Sequence, residues 1–232
     1  MKALANRSAS WPLHLWPMPS SKSSRQSTSG NARQPDAKKP VHRTPKGPPS
    51  HEIRIIGGQW RRTRLKVIDK PGLRPTPDRV RETLFNWLGQ DLSGWRCVDA
   101  FAGTGVLGLE AASRGAAHVL MVEQDAVLVR DLQDNATRLK ADMVSVQRGD
   151  AVTALGRVPA GSVDLVFLDP PFDGPWFEPA LKAAAKAVPA GGWIYLEAPV
   201  AWTAEALGEL GLQCERHLKA GAVHAHLLQR TA

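Results

Sequence analysis

Along this chain of 232 residues, the alternation of apolar and polar positions becomes regular only after residue 51. Stretches 52–56 and 63–68 place apolar side chains at about every second position, the period of a half-buried strand. Gly57-Gly58 stands near their joint as a turn or bulge signal. Thr76-Pro77 then opens a helix running to about Leu88, with Thr76 suited to the N-cap and Pro77 to the first helical position. Its apolar stripe is Val80, Leu84 and either Phe85 or Leu88. From Arg96 the rhythm changes to strand–helix alternation. Strands are expected over 97–101, 118–122, 144–148, 163–168 and 193–197, and helices over 106–114, 127–139, 179–188 and 203–210, with a short helical stretch after 148. Stretches 212–218 and 222–229 close the chain as a hairpin around Lys219-Ala220-Gly221.

Repeated βα units imply an α/β fold with a mostly parallel sheet, helices on both faces and an antiparallel strand at the end. The prolines at 12, 17, 19, 35, 40, 45, 48 and 49 forbid long helices or strands before residue 50. Residues 1–50 therefore read as a disordered basic tail rich in Pro and Ser, 51–94 as a basic hairpin and helix, and 95–232 as the ligand-binding domain.

Charge sharpens this division. Residues 1–81 carry a net +14 and residues 82–232 a net −6, giving +8 for the whole chain. A basic front on an acidic body is the footprint of a polyanion binder, nucleic acid first. Arg54, Arg61, Arg62, Arg64 and Lys66 lie on the hairpin, and Arg74, Arg79 and Arg81 surround the start of the first helix. No run approaches the roughly 18–20 apolar residues of a membrane helix. The two cysteines, Cys97 and Cys214, fit a reducing cytoplasm rather than a disulfide framework. The seven histidines are scattered and support no metal site. His224 and His226 read as solvent-facing strand residues, and Cys97 as a core residue.

Three motifs carry chemistry. The first is Gly103-x-Gly105-x-x-Gly108 between a strand and a helix, where glycines let backbone approach a ligand and let the helix pack on the strand. Asp99 ends the strand before it, and Glu123 ends the next strand, placed to take ribose hydroxyls. On these residues a dinucleotide enzyme stays open. Asp99 favours a different ligand, because a carboxylate there attracts the ammonium end of an amino-acid-bearing nucleotide but repels a pyrophosphate. That points to S-adenosylmethionine. The second motif, Asp150-Ala151, can place a carboxylate on an adenine amino group, cap a helix, or do both. The third is Asp169-Pro170-Pro171-Phe172 after an apolar strand. The Asp169 carboxylate and Pro170 carbonyl are two acceptors, and Phe172 is a stacking face. Together they suit a planar base bearing an exocyclic amino group.

Asp99–Gly108 with Asp169-Pro170-Pro171-Phe172 resembles the class I S-adenosylmethionine-dependent amino-methyltransferases. Arg54-Ile-Ile-Gly-Gly-Gln-Trp-Arg61 and the stretch from Gly72 to Leu88 closely resemble the RsmD family, bacterial enzymes that methylate N2 of guanine 966 in 16S ribosomal RNA. The resemblance covers roughly residues 52–232. It implies a Rossmann-like fold with a seven-stranded sheet. Asp169 and Pro170 would hold the target amine, with Phe172 stacking. Asp99, Phe101, Gly103, Gly105, Glu123, Asp150 and Ala151 would hold the cofactor. The substrate would be 16S rRNA in the 30S subunit or an assembly intermediate, met by a cytoplasmic monomer without metal. Where the family leads one to expect aromatics in the last strand, this chain has Ala225 and Leu228. A DNA amino-methyltransferase shares the Asp-Pro-Pro-Phe chemistry, but no separate target-recognition domain of useful size is present. A non-catalytic RNA-binding factor would have no need of Asp99, Glu123 and Asp169.

Overall fold

The computed structural model describes residues 50–68, 70, 71, 73 and 75–232. Of the tail expected over residues 1–50, residues 1–49 lie outside the described residues, as does Arg74, while Ser50 opens the first strand. The chain opens with a two-stranded antiparallel hairpin, β1 (Ser50–Arg54) and β2 (Arg64–Ile68), then α1 (Asp78–Trp87). The alternating part follows as β3 (Arg96–Asp99), α2 (Val106–Ser113), β4 (His118–Glu123), α3 (Ala126–Leu139), β5 (Val144–Arg148), α4 (Ala151–Arg157), β6 (Leu165–Leu168), α5 (Phe177–Ala187), β7 (Trp193–Ala198) and α6 (Ala204–Glu209). It ends with the hairpin β8 (Leu212–Ala220) and β9 (Val223–Arg230), joined by Gly221-Ala222.

Seven strands form one sheet in the order β5-β4-β3-β6-β7-β9-β8. The first five run parallel, and β9 joins β7 antiparallel. The order reverses between β3 and β6, where a crevice opens beyond the carboxyl ends of the strands. The central strands are short apolar runs because both faces are covered. Along β6, Leu165 and Phe167 point to one buried cluster, and Val166 and Leu168 to the other. The first cluster is shared with α1, α2 and the β1–β2 hairpin, through Ile53, Leu65, Val80, Leu84 and Phe85. The second is shared with α4, α5 and α6, through Leu155, Leu181 and Leu207. Burying each such Leu or Phe contributes about 1.5–3 kcal/mol.

Several expectations shift. Ile55 still exchanges backbone bonds with Thr63 and Arg62, but residues 56 and 57 leave the hairpin because Glu110 on α2 takes the Ile56 and Gly57 N–H groups, at 2.9 and 2.7 Å. Gly58 has φ +72°, and a Cβ there would lie 1.8 Å from the Ser113 carbonyl oxygen, so the glycine pair docks the hairpin onto the end of α2. Thr76 does not cap α1. Pro77 holds the cap position without a side-chain bond, and the buried Thr76 side chain bonds Glu197 instead. Arg81, placed by its sequence position near the basic helix start, is 1 % exposed and held by Glu110, Asp78 and two backbone carbonyls. His226 is not solvent-facing. It is 1 % exposed, its Nε2 accepts from the Trp202 N–H at 3.2 Å, and burial and His217 depress its pKa to about 4. Cys97 is fully buried, as expected. No helix among the described residues is long and apolar enough to cross a membrane.

Candidate active site

The crevice at the strand-order reversal is a cavity of about 930 Å³. Each parallel strand delivers an acid at or just beyond its carboxyl end. Asp99 ends β3, Glu123 ends β4, Asp150 follows β5, Asp169 follows β6, and Glu197 lies near the end of β7. All five line the cavity.

The glycine turn is built around two of them. Asp99 is 2 % exposed, and its Oδ2 accepts the Gly108 N–H at 2.9 Å. Burial lifts its pKa to about 7 against the lowering effect of that bond, with the Glu123 charge adding to the rise. Glu123 accepts the Gly103 N–H at 3.0 Å and the Asp125 N–H at 2.8 Å, which clamps the end of β4 to the turn. A carboxylate offers about four lone-pair sites, so both acids keep acceptor capacity for a ligand. Asp150 does two tasks at once. It caps α4 by accepting the Thr153 N–H at 2.7 Å, and it lines the cavity beside Ala151.

The base-side wall comes from β6 and the segment after it. Asp169, Pro170, Pro171 and Phe172 all line the cavity. Burial, then the neighbouring charges of Glu197 and Asp99, push the Asp169 carboxyl well above its ordinary range. Its carbonyl oxygen can accept in either protonation state. Phe172 is 42 % exposed at the rim, with its ring 6.3 Å from that of Phe177. The β8–β9 turn adds Ala220, Ala222 and Val223, while Ala225 and Leu228 are buried in the two clusters.

Phe101 and Gly103 also line the cavity, whereas Gly105 is not on its wall. Gly105 has φ +75° at the cap of α2, and a Cβ there would meet Leu132 at 2.3 Å, so it shapes the turn from behind. Arg54, Arg61, Arg62, Arg64 and Arg79 are exposed on the hairpin and first helix. Arg54 pairs with Asp78 at 2.8 Å and Arg64 with Glu52 at 3.3 Å. Glu197 escapes motif reading. Its only signal is an acid at the end of the 193–197 strand, where each of the four other parallel strands also has an acid at or just beyond its carboxyl end.

The site's charge suits a cationic ligand. Asp99 and Glu197 are buried and Asp169 is half-buried on the inner wall, and desolvation disfavours the charged forms of all three. A ligand with an ammonium and a sulfonium would relieve that cost, which fits S-adenosylmethionine better than a dinucleotide pyrophosphate. Sheet order, glycine turn and strand-end acids together define a Rossmann-like class I methyltransferase fold. The family described as Conserved hypothetical protein 95 matches residues 53–229. The chain is 41 % identical over 190 residues to Ribosomal RNA small subunit methyltransferase D of Escherichia coli K12, covering 79 % of this chain and 92 % of that protein. Against the Haemophilus influenzae protein of the same name it is 44 % identical over 126 residues, 52 % of this chain and 64 % of that one. The solved structure of Escherichia coli yhhF superposes with a TM-score of 0.68 at 36 % identity, covering 78 % of this chain and 99 % of that one. The chain belongs to the RsmD family of methyltransferases.

Proposed function

We propose that this chain methylates the exocyclic N2 of a guanine in 16S rRNA, guanine 966, using S-adenosylmethionine. The substrate would be the 30S subunit or its precursor in the cytoplasm, met by the protein as a monomer. The observation that carries the reading is the meeting of the Asp169-Pro170 corner and the Asp99 glycine turn on one cavity. The relatives named for small-subunit rRNA support the substrate class, and the family-specific stretch 54–88 supports the nucleotide.

The donor, when bound, brings a methyl group already activated on a sulfonium, so the protein's contribution is alignment and charge placement. Asp99 faces the donor's ammonium, Glu123 its ribose hydroxyls, and Asp150 with Ala151 its adenine, while Phe101 and Gly103 complete the wall. The target base leaves its stack, since its amino group is otherwise out of reach. Phe172 stacks on it. Asp169 and the Pro170 carbonyl accept hydrogen bonds from the two amino N–H groups and draw the nitrogen lone pair out of conjugation with the ring, toward the donor methyl. The amine is too weak an acid for Asp169 to deprotonate it first, so proton loss accompanies or follows transfer. Residues 51–94 form the RNA-gripping part and 95–232 the catalytic part. Arg54, Arg61, Arg62, Arg64, Arg74 and Arg79 hold phosphates, a contribution blind to sequence and weakened by salt.

Asp169→Ala tests the reading. Methyl transfer to unmethylated 30S particles is expected to fall on the order of 100-fold or more, as when a group aimed at the reacting centre is removed. Calorimetry is expected to show cofactor affinity nearly unchanged. Retained activity would refute the assigned role.

A further inference from the structure

One acid on the cavity wall has no task in this scheme. Glu197 is 5 % exposed and lines the cavity. Strands β6 and β7 pair Leu168 with Leu196, so the next residues, Asp169 and Glu197, stand side by side at the carboxyl edge of the sheet. The Glu197 carboxylate is anchored from two sides. Its Oε1 accepts the Tyr195 hydroxyl at 2.9 Å, and the Thr76 side chain bonds it as well. Tyr195 is itself buried and packs edge-on against Phe167, with ring centroids 6.4 Å apart. Two hydroxyl partners hold the group in place but do not neutralise it. No ion pair joins Glu197 to a basic group among the described residues. A buried acid without a counter-ion costs stability, and one on the wall of a cavity points to a ligand.

We infer that Glu197 reads the target base as guanine, accepting its N1–H while Asp169 and Pro170 hold the N2 amino group. The assignment rests on the guanine-N2 reaction proposed above. Guanine presents two adjacent donors, N1–H and the 2-amino group. Adenine and cytosine present an amino group beside a ring nitrogen with a lone pair. An acid next to the amine pocket therefore accepts from guanine and repels the other two. The charge distribution agrees. Burial and then the Glu197 and Asp99 charges drive the Asp169 carboxyl well up, whereas the rise caused by Glu197's burial is opposed by its two hydroxyl donors. The hydroxyl donors on Glu197 favour its charged form, the form that an N1–H acceptor uses.

The test uses 30S particles reconstituted with 16S rRNA carrying either guanine or 2-aminopurine at the target position. The analogue keeps the 2-amino group but has a lone pair at N1. The full-length wild-type protein is expected to prefer guanine by at least ~100-fold in kcat/KM, since a site built to hydrogen-bond a substrate group strongly rejects an analogue lacking it. Glu197→Gln is nearly isosteric, and its amide N–H can donate to the analogue's N1. The variant is expected to lose guanine activity and to narrow the preference to within ~10-fold, with cofactor affinity by calorimetry unchanged. Unaltered preference in Glu197→Gln overturns the role of Glu197. So does equal use of both bases by the wild type, a measurement that needs no variant to fold. Absence of transfer to the guanine particles by the wild type overturns the reaction itself, and this assignment with it.

Discussion

If Asp99 takes the cofactor's ammonium group as proposed, its titration couples cofactor binding to protons. In the cofactor-free protein its carboxyl titrates at about 7, because burial outweighs the bond from the Gly108 N–H. Below that pH it carries a proton and cannot attract an ammonium group. Binding that needs the carboxylate must release this proton. Cofactor affinity is therefore expected to rise about tenfold per pH unit between roughly pH 5 and 7 and to level off above. The same raised pKa sets the sign for stability. The folded state binds the proton more tightly than the unfolded chain, whose Asp titrates near 3.9, so stability without cofactor declines from about pH 4 to 7 and the loss is complete above 7. Calorimetry in two buffers of different ionisation enthalpy would detect proton release at about pH 6. Asp99→Asn is expected to weaken binding and abolish the pH dependence. A flat affinity in the wild type across this window would exclude Asp99 as the ammonium partner.

At the scale of elements, a buried acid on α2, with Ser113 at the end of the same helix, fastens the hairpin to the rest of the fold. Glu110 lies on α2, a helix whose eight residues are all buried, and has no measurable exposure. It accepts from the Ile56 and Gly57 backbone, from Arg81 at 3.2 Å, and from Arg114 Nε at 2.9 Å. Arg114 in turn lies over the Phe85 ring at 4.5 Å, so hairpin, α1 and α2 meet in one charged knot. Glu110→Ala would leave two buried guanidinium groups short of their shared partner. The expected cost is about 3–5 kcal/mol, read as a lower urea midpoint, since breaking a buried pair strands the remaining charge. A loss below about 1 kcal/mol, the value of an exposed pair, would show the knot to be dispensable. This knot was invisible in the sequence, and the reason is physical. Apolar periodicity is local, so runs such as Leu165–Leu168 announced the buried parallel strands. Glu110 meets its hairpin partners 53 and 54 residues away. In a one-dimensional pattern it is merely a polar residue in an apolar helix. Thr76 fails the same way. Its position before Pro77 satisfies the local rule for a helix cap, but Glu197, far along the chain, takes its side chain. The Asp169 and Asp99 motifs were legible because their geometry is local, a strand end followed by a turn. Glu197 has no such turn, and only pairing of β6 with β7 brings it beside Asp169.

Across the whole molecule, charge and chemistry are separated. The basic front that ends near residue 81 carries +14, while the remainder carries −6 and holds all five cavity acids; the front reaches the cavity wall only with Thr76 and its neighbours. On the function proposed above, an RNA substrate would be drawn to one part of the protein and react in another, with the buried Glu110 knot joining the two. This makes the two functions separable by mutation. Arg61, Arg62 and Arg64 are exposed, and among the described residues only Arg64 has a carboxylate partner, at 3.3 Å. Reversing all three to Glu removes no buried contact, so thermal stability and cofactor affinity are expected to stay near wild type. RNA binding is expected to weaken most at low salt. If each arginine neutralises one phosphate, the slope of log affinity against log salt should flatten by about 2, at roughly 0.7 per contact on single-stranded RNA. Filter binding of 30S particles at several salt concentrations, beside calorimetry with the cofactor, would measure both quantities. Equal RNA affinity at low salt would reject the hairpin as the RNA arm. A lost cofactor affinity would show instead that the basic front and the cavity are not independent.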